Sequence, residues 1–457
     1  MTVAIADWKR LLLTKPTKTG DVLRTNSANL VTILTNDPAW SGVIAYDEFA
    51  ETICTRKAPP WRPQDAPGAA KLGDWTELDT VRVQAWLADA YALDLGLDAT
   101  LSAVRVVADR ARFHPVRDWL QSLAWDGQRR VRTWLTEVMG CDDTPYTREV
   151  GGAFLISAVA RVMAPGCKVD TVIILEGDQG TGKSSGLRAL AGDEWFLEMS
   201  VTDVSNKDAM QILKRKWIAE FPEWDGFSKA DAAQIKSYVS RQVDTYRESY
   251  GRGPKDFPRQ IVFAATTNKD AYMVDETGAR RYHPVRCRSV NMALVREIRE
   301  QLWAEALAMY QGGVPWHVSD PELAAHFVEE QGNRRKVHPW EERIALWLER
   351  PVDIPMGKKR SELGVTTADV LEGALKIDVG RWTQREANEA AACLRVLGWR
   401  QAGQRRRGGV RVRPYFPDGI DPEDTATPVT RDDLRELPEP PEEPRPSDEE
   451  LSLALGE

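Results

Sequence analysis

The sequence predicts an α/β core built on a mostly parallel sheet, preceded by a helical region and followed by a winged-helix-like domain. Three observations carry that expectation. The runs TVIIL (171–175), KWIAEF (216–221) and QIVFAATTN (260–268) are almost wholly apolar, as strands buried on both faces must be. Helix-period segments separate them, the alternation that gives parallel sheets. The first run opens directly into the glycine-rich turn GDQGTGKS (177–184), and a phosphate-binding loop requires that strand–loop–helix placement.

In chain order, residues 1–70 alternate short apolar runs, NLVTILTN and GVIAYDEF, with turn residues. They end in APPWRPQDAPGAA, a Pro/Ala/Gly stretch that reads as a linker closing a small N-terminal region. Residues 71–165 read as a helical domain. TELDTVRVQAWLADAYAL opens on a Thr-x-x-Asp cap pattern, and HPVRDWLQSLAWDGQRRVRTWLTEVMG repeats apolar positions at three and four. The α/β core occupies 166–335. From 336 to 417, WEERIALWLER, TTADVLEGAL and TQREANEAAACLRVLGW read as helices. RQAGQRRRGGVRVRPYF then alternates basic and apolar residues around Gly408 and Gly409, and helices followed by a basic hairpin predict a winged helix. Residues 418–457 hold 14 acids, three arginines and seven prolines, which predicts a disordered acidic tail.

That tail corrects the overall charge. Of the formal −8, the tail holds −11, so the other 417 residues carry +3. The folded part is therefore not an acidic body that would repel nucleic acid. With 42% hydrophobic and 28% charged residues, the composition is globular, and no apolar run approaches the ~18 residues of a membrane span. The start, MTVAIADWKRLLLTKPTKTGD, lacks the features of a secretory signal, so a cytoplasmic protein is expected. Cys54, Cys141, Cys167, Cys287 and Cys393 are too scattered for a zinc site. Most of the 17 tryptophans, Trp119 and Trp134 among them, sit at helical spacing among leucines and are expected in the core.

The turn carries chemistry. Gly177, Gly180 and Gly182 let backbone N–H groups face inward around phosphates, with Thr181, Ser184 and Ser185 completing the loop. Lys183 is placed to neutralise β/γ oxygens, and the Ser184 hydroxyl to join a Mg²⁺ shell. ATP and Mg²⁺ are the expected cofactors. Hydrolysis needs a carboxylate at a neighbouring strand end, and WIAEFPEWDG offers Glu220 for the metal side and Glu223 for polarising water, with the roles open to exchange. Asn268, at the end of the third apolar run, is a candidate for orienting water or the γ-phosphate. Arg280 and Arg281, in DETGARRYHPV, are candidates for an arginine finger acting on a neighbouring subunit.

The order GDQGTGKS, WIAEFPEWDGFSKAD, SRQVDTYRESYGRGPKDFPRQ, ATTN and DETGARRYHPV resembles the virulence-associated protein E family of phage and mobile-element ATPases, related to superfamily 3 helicases, over roughly residues 100–415. The resemblance implies a superfamily 3/AAA+-like P-loop ATPase core. It also implies a ring-forming, hexameric DNA helicase or replication initiator that translocates on single-stranded or forked DNA in a bacterial host cell. Family members often carry an upstream primase-polymerase domain. This chain starts too close to the helicase core to hold one, so a separate primase is expected, or residues 1–70 are its remnant. Arg252, Lys255 and Arg259 fall where related helicases place a pore hairpin. Arg405, Arg406, Arg407, Arg411 and Arg413 would make a basic wing suited to phosphate contacts. The alternative is an ATP-gated DNA-binding or interference protein that assembles on DNA without processive unwinding. A small-molecule kinase is a third reading, with no visible acceptor site.

Overall fold

The structure, a computed structural model, describes residues 8–14, 22, 25–62, 73–205, 212–224, 229–247, 253–272, 281–317, 321–334, 337–350, 360, 364–378, 380–407 and 410–420. It divides into two compact units, Met1–Arg335 and Lys336–Glu457.

The first unit begins with a small α/β module. Helix α1 (Ser27–Asn36) starts where the Asn26 side chain accepts from the Ala28 N–H. Strands β1 (Ile44–Asp47), β2 (Thr52–Thr55) and β3 (Gly73–Asp74), helices α2 (Glu77–Tyr91) and α3 (Leu97–Arg110), and strand β4 (Arg112–Phe113) follow. Thr76 and Asp79 form the expected capping box at the start of α2. The sheet order is β3-β2-β1-β4, with only β1 and β4 parallel. Leu30 and Ile33 of α1, Val83 and Leu87 of α2, and Val104 and Val107 of α3 share one core. That core and its sheet run across the boundary expected near residue 70. Two-residue strands such as β3 and β4 are too short to leave a period in the sequence.

Helices α4 (Pro115–Ser122), α5 (Trp134–Met139) and α6 (Pro145–Met163) lead into the main sheet. Residues 150–162 of α6 are buried on every side, as expected of a helix apolar all round. The sheet elements are β5 (Val172–Glu176), α7 (Lys183–Ala191), β6 (Phe196–Glu198), α8 (Val201–Ser205), β7 (Ile218–Phe221) and α9 (Lys229–Val239). A hairpin follows, β8 (Val243–Tyr246) with β9 (Lys255–Pro258), then β10 (Val262–Thr267), β11 (Tyr282–Arg286), α10 (Met292–Gln311) and α11 (Pro321–Asn333). The five strands run in the order β11-β5-β10-β7-β6, all parallel. The three predicted apolar runs supply β5, β7 and β10. The edge strand β6 gave no signal.

One face of the sheet packs Ile173, Leu175, Ile218 and Val262 against Leu187 of α7 and Leu302 and Trp303 of α10. The other packs Val172, Ile174, Phe221 and Phe263 against Ile235 and Tyr238 of α9. From β5 the chain crosses to the far edge, returns through β7 and β10, and ends on the opposite side at β11. Connections therefore diverge beside β5, and ligands of open α/β sheets bind in the crevice that such divergence opens at the strands' carboxyl ends. Among the described residues no helix is long and apolar enough to cross a membrane.

The second unit holds α12 (Pro339–Glu349), a helical turn Thr367–Asp369 that widens into a π-turn at Val370–Ala374, and α13 (Gln384–Val396). Two antiparallel pairs follow: β12 (Trp399–Gln401) with β15 (Tyr415–Pro417), and β13 (Arg405–Arg407) with β14 (Val410–Val412). Trp347, Leu371, Leu394, Trp399 and Tyr415 form its core. Gly373 lies so close to the Trp347 ring that a Cβ there would fall 2.5 Å from it. Residues 421–457, nearly all of the predicted tail, lie outside the described residues.

Candidate functional site

The carboxyl ends of β5, β7 and β10 bring four predicted residues together. The loop after β5 is pinned at its first glycine, whose N–H donates to the Thr267 carbonyl at 3.2 Å. Gly177 has φ +142°, and a Cβ there would stand 2.2 Å from the Cys287 carbonyl oxygen. Gly180 and Gly182 also have positive φ, +84° and +90°, so all three glycines hold conformations that side chains resist. Helix α7 starts at Lys183 with no side-chain cap from Gly182, leaving its first-turn N–H groups available to an anion. Ser185, in that turn, is exposed.

Lys183 is 6% exposed. Its ammonium donates to the Gly177 carbonyl at 2.6 Å, the Asp178 carbonyl at 2.9 Å, and Thr181 Oγ1 and Asn268 Oδ1 at 3.2 Å each. These partners are neutral oxygens, and burial holds the lysine's pKa below its ordinary value despite the nearby Cys287, Asp178 and Glu220. A buried cation held by dipoles alone is short of negative charge.

Glu220, on β7 and fully buried, accepts at Oε1 from Ser184 Oγ at 2.5 Å and from Thr266 Oγ1 at 2.6 Å. Its other oxygen, Oε2, is buried with no hydrogen-bond partner among the described residues. Burial raises its pKa, with the Ser184 and Thr266 hydrogen bonds opposing. A hydroxyl beside a carboxylate with a lone pair to spare fits Mg²⁺, which needs only one or two protein oxygens besides water and phosphate. The described residues contain no cluster of three metal-binding side chains, and such a site requires none.

Glu223 lies just past β7, exposed, with φ +51°. A left-handed conformation is uncommon outside glycine and marks stored strain. Its neighbour explains how it is held: Trp224 is 4% exposed and packs against Phe221 and Tyr282, leaving the glutamate on the surface between Pro222 and a buried ring.

Sequence reasoning missed a second buried cluster at this end. Glu176, the last residue of β5, is 1% exposed. It binds Arg334 through two bonds of 2.9 and 3.1 Å and accepts from Tyr272 Oη at 2.7 Å. An acid ending an otherwise apolar strand was the available signal. Arg286 closes β11 beside it and pairs with Asp270. Cys141 and Cys287, both buried free thiols, have their sulfurs 3.6 Å apart behind Gly177.

The predicted arginines and DNA contacts lie elsewhere. Arg281 precedes β11, at the amino ends of the strands, beside Ser240 (3.2 Å) and Asp170 (3.5 Å). The length of β11, about 13 Å at 3.3 Å per residue, separates it from the glycine-rich loop of its own chain. Arg280 and Arg252 lie outside the described residues. Lys255 stands at the hairpin pair nearest the turn, opposite Tyr246, and donates to Glu51 at 2.7 Å. Arg259, expected with it at the DNA, is instead an internal strut. It is 3% exposed, doubly bonded to Asp244 at 2.6 and 2.9 Å, and also donates to the Tyr238 carbonyl. The Asp244 carboxylate offsets the desolvation of this guanidinium, and its burial leaves no charge presented to a phosphate. In the second unit, Arg411 and Arg413 are two apart and exposed, and Arg405 stands 5.5 Å over the Phe416 ring. Arg406 and Arg407 lie on β13, but their side chains fall outside the described ones.

Comparison with known proteins gives a family match over part of the chain. Residues 120–336 match the virulence-associated protein E-like domain. The chain is similar to the A form apo structure of the NrS-1 C terminal region, at 14% identity over 66% of this chain and 78% of that one, with a TM-score of 0.38. It is likewise similar to an apo structure of the NrS-1 C terminal region at 12% identity, over 83% and 98%, with a TM-score of 0.40. No curated protein matches the chain.

Proposed function

Starting from a virulence-associated protein E-like domain, we propose that this chain is an ATPase that acts on DNA, a ring-forming helicase or replication initiator of a phage or mobile element. One observation carries the reading. Lys183, Ser184, Glu220 and Asn268, from three separate stretches of sequence, converge on one crevice through contacts of 2.5 to 3.2 Å. A buried lysine held by neutral oxygens and a buried carboxylate with one oxygen unpartnered would both be completed by a nucleotide phosphate with its metal.

In this reading the inward-turned glycine loop and the first turn of α7 hold the phosphates, and Lys183 exchanges backbone carbonyls for phosphate oxygens. Ser184 and Glu220 would hold Mg²⁺, which when bound neutralises charge on those oxygens. Asn268 orients the γ-phosphate. Glu223 accepts a proton from the attacking water, and its exposed, strained position suits a group that meets a ligand from solvent. Arg281, remote from its own crevice, fits a finger for the next subunit of a ring. The β8–β9 hairpin with Lys255, together with a winged-helix reading of the second unit with Arg405, Arg411 and Arg413, would contact the DNA backbone.

The test is ATP turnover with and without single-stranded DNA, together with mass measurement in the presence of nucleotide. Turnover stimulated by DNA in an assembled ring is expected. Nucleotide binding without turnover would favour the ATP-gated DNA-binding reading, and absence of nucleotide binding would sink both.

A further inference from the structure

The hairpin lysine proposed to meet DNA already holds an anion from its own chain. Lys255 Nζ lies 2.7 Å from Glu51 Oε2 and 3.5 Å from Tyr46 Oη. Its side chain is 47% exposed, that of Glu51 only 19%. Glu51 reaches it from the turn between β1 and β2, where it adopts φ +52°, so the module's backbone is bent at the residue that delivers the carboxylate. The same turn is fixed from behind. The Asp47 carboxylate accepts from the Phe49 and Ala50 N–H groups, and the Glu48 carbonyl accepts from Gln260.

The surroundings on the hairpin are those of a nucleic-acid face. Tyr246 and Phe257 stack at 4.1 Å and 15°, and the ammonium groups of Lys214 and Lys255 lie 5.2 and 5.0 Å from the Phe257 ring centre. Phe257 is buried beneath the half-buried Tyr246, and one partly exposed ring flanked by lysines suits a single strand, whose base meets the ring while its phosphates take the cations.

We propose that Glu51 is an intrachain stand-in for a DNA phosphate on Lys255, so that the N-terminal module holds the hairpin closed to single strands until a phosphate displaces it. The inference rests on the DNA reading given above. An ion pair this exposed contributes about 0.2–1 kcal/mol, weak enough for a polyanion to replace it and strong enough to set a threshold.

The test measures binding of a fluorescein-labelled oligo-dT by anisotropy across a salt series, using the full chain, Glu51→Gln, Lys255→Ala and the double variant. Glu51→Gln is expected to bind about two- to fivefold more tightly with unchanged basal ATP turnover and melting temperature. Lys255→Ala should bind more weakly, with a salt slope smaller by about 0.7, and in that background Glu51→Gln should add nothing. If the unmodified chain binds, Lys255→Ala weakens it and Glu51→Gln leaves affinity unchanged, the stand-in role is overturned while the DNA reading survives. If neither the unmodified chain nor Glu51→Gln binds, both fall.

Discussion

The two ends of the parallel sheet treat charge differently. At the carboxyl ends, Lys183 is buried on neutral oxygens, Glu220 keeps one oxygen unpartnered, and Glu223 sits in a left-handed conformation. At the amino ends, cations are matched with carboxylates: Arg259 with Asp244, Arg215 with Asp47, Arg281 with Asp170, and Lys255 with Glu51. Arg161, whose described partners are carbonyls only, is the exception there. In the proposed reading a ligand completes the first end, while the second is held mainly by its own ion pairs. Left-handed backbone occurs at both ends, at Glu223 and at Glu51 and Arg215, so the contrast lies in the pairing of charge: a lysine on neutral oxygens beside a half-partnered carboxylate at one end, cations mostly matched with carboxylates at the other.

The sharpest way to break that contrast is to remove the charge that a ligand would use. Lys183→Ala is expected to lower ATP turnover by 10³-fold or more, the order of effect of removing a key phosphate-stabilising cation, with a melting temperature close to that of the unmodified chain. A large loss of stability would mean the lysine supports the fold. Glu223→Gln should retain nucleotide binding and lose turnover. If Glu220→Gln does that instead, the two glutamates exchange roles.

Arg281 tests whether the amino end of one chain completes the carboxyl end of another. Arg281→Ala should cut turnover by on the order of 10³, and mixing it with Lys183→Ala should return part of the activity, because some interfaces then pair an intact loop with an intact arginine. No recovery in demonstrably mixed assemblies would reassign Arg281 to a structural tie with Asp170 and Ser240.

Arg259→Ala is the mirror experiment. Stripping the partner from buried Asp244 should lower unfolding free energy by about 3–5 kcal/mol, read from urea melts, while the KM for ATP in the folded protein stays near its original value. Lost turnover without lost stability would erase the distinction between the ends. The smallest effect belongs to the second unit. Replacing Arg411 and Arg413 by alanine should weaken non-specific DNA binding and reduce its salt slope by up to about 0.9 per arginine on duplex DNA, and an unaltered slope removes them from the interface.

The carboxyl end was legible in the sequence because its chemistry follows continuous patterns. Apolar runs give β5, β7 and β10, and Lys183, Glu220 and Asn268 stand at or beside their ends. The amino end was not, because its meaning lies in long-range pairs. Nothing local distinguishes Lys255, half-exposed on Glu51, from Arg259, buried on Asp244, although both sit in one basic stretch. Glu176 was passed over for the same reason, since its partner Arg334 lies 158 residues away. Strand β6, three residues at an edge, and the two-residue strands of the N-terminal module are below the length at which alternation can be read.

The strand order also sets a timetable for synthesis. β5 leaves the ribosome first of the five, yet both its neighbours, β10 from Val262 and β11 from Tyr282, are made last. At about 5–20 residues per second, its wholly buried run VIILE waits several seconds with both edges open, covered only by what α6 and α7 can shield. Such an apolar segment of high strand propensity is prone to pair with copies of itself. Chains cut short before Arg286 are therefore expected to aggregate through β5, and the nascent protein depends on prompt completion or on a chaperone during that interval.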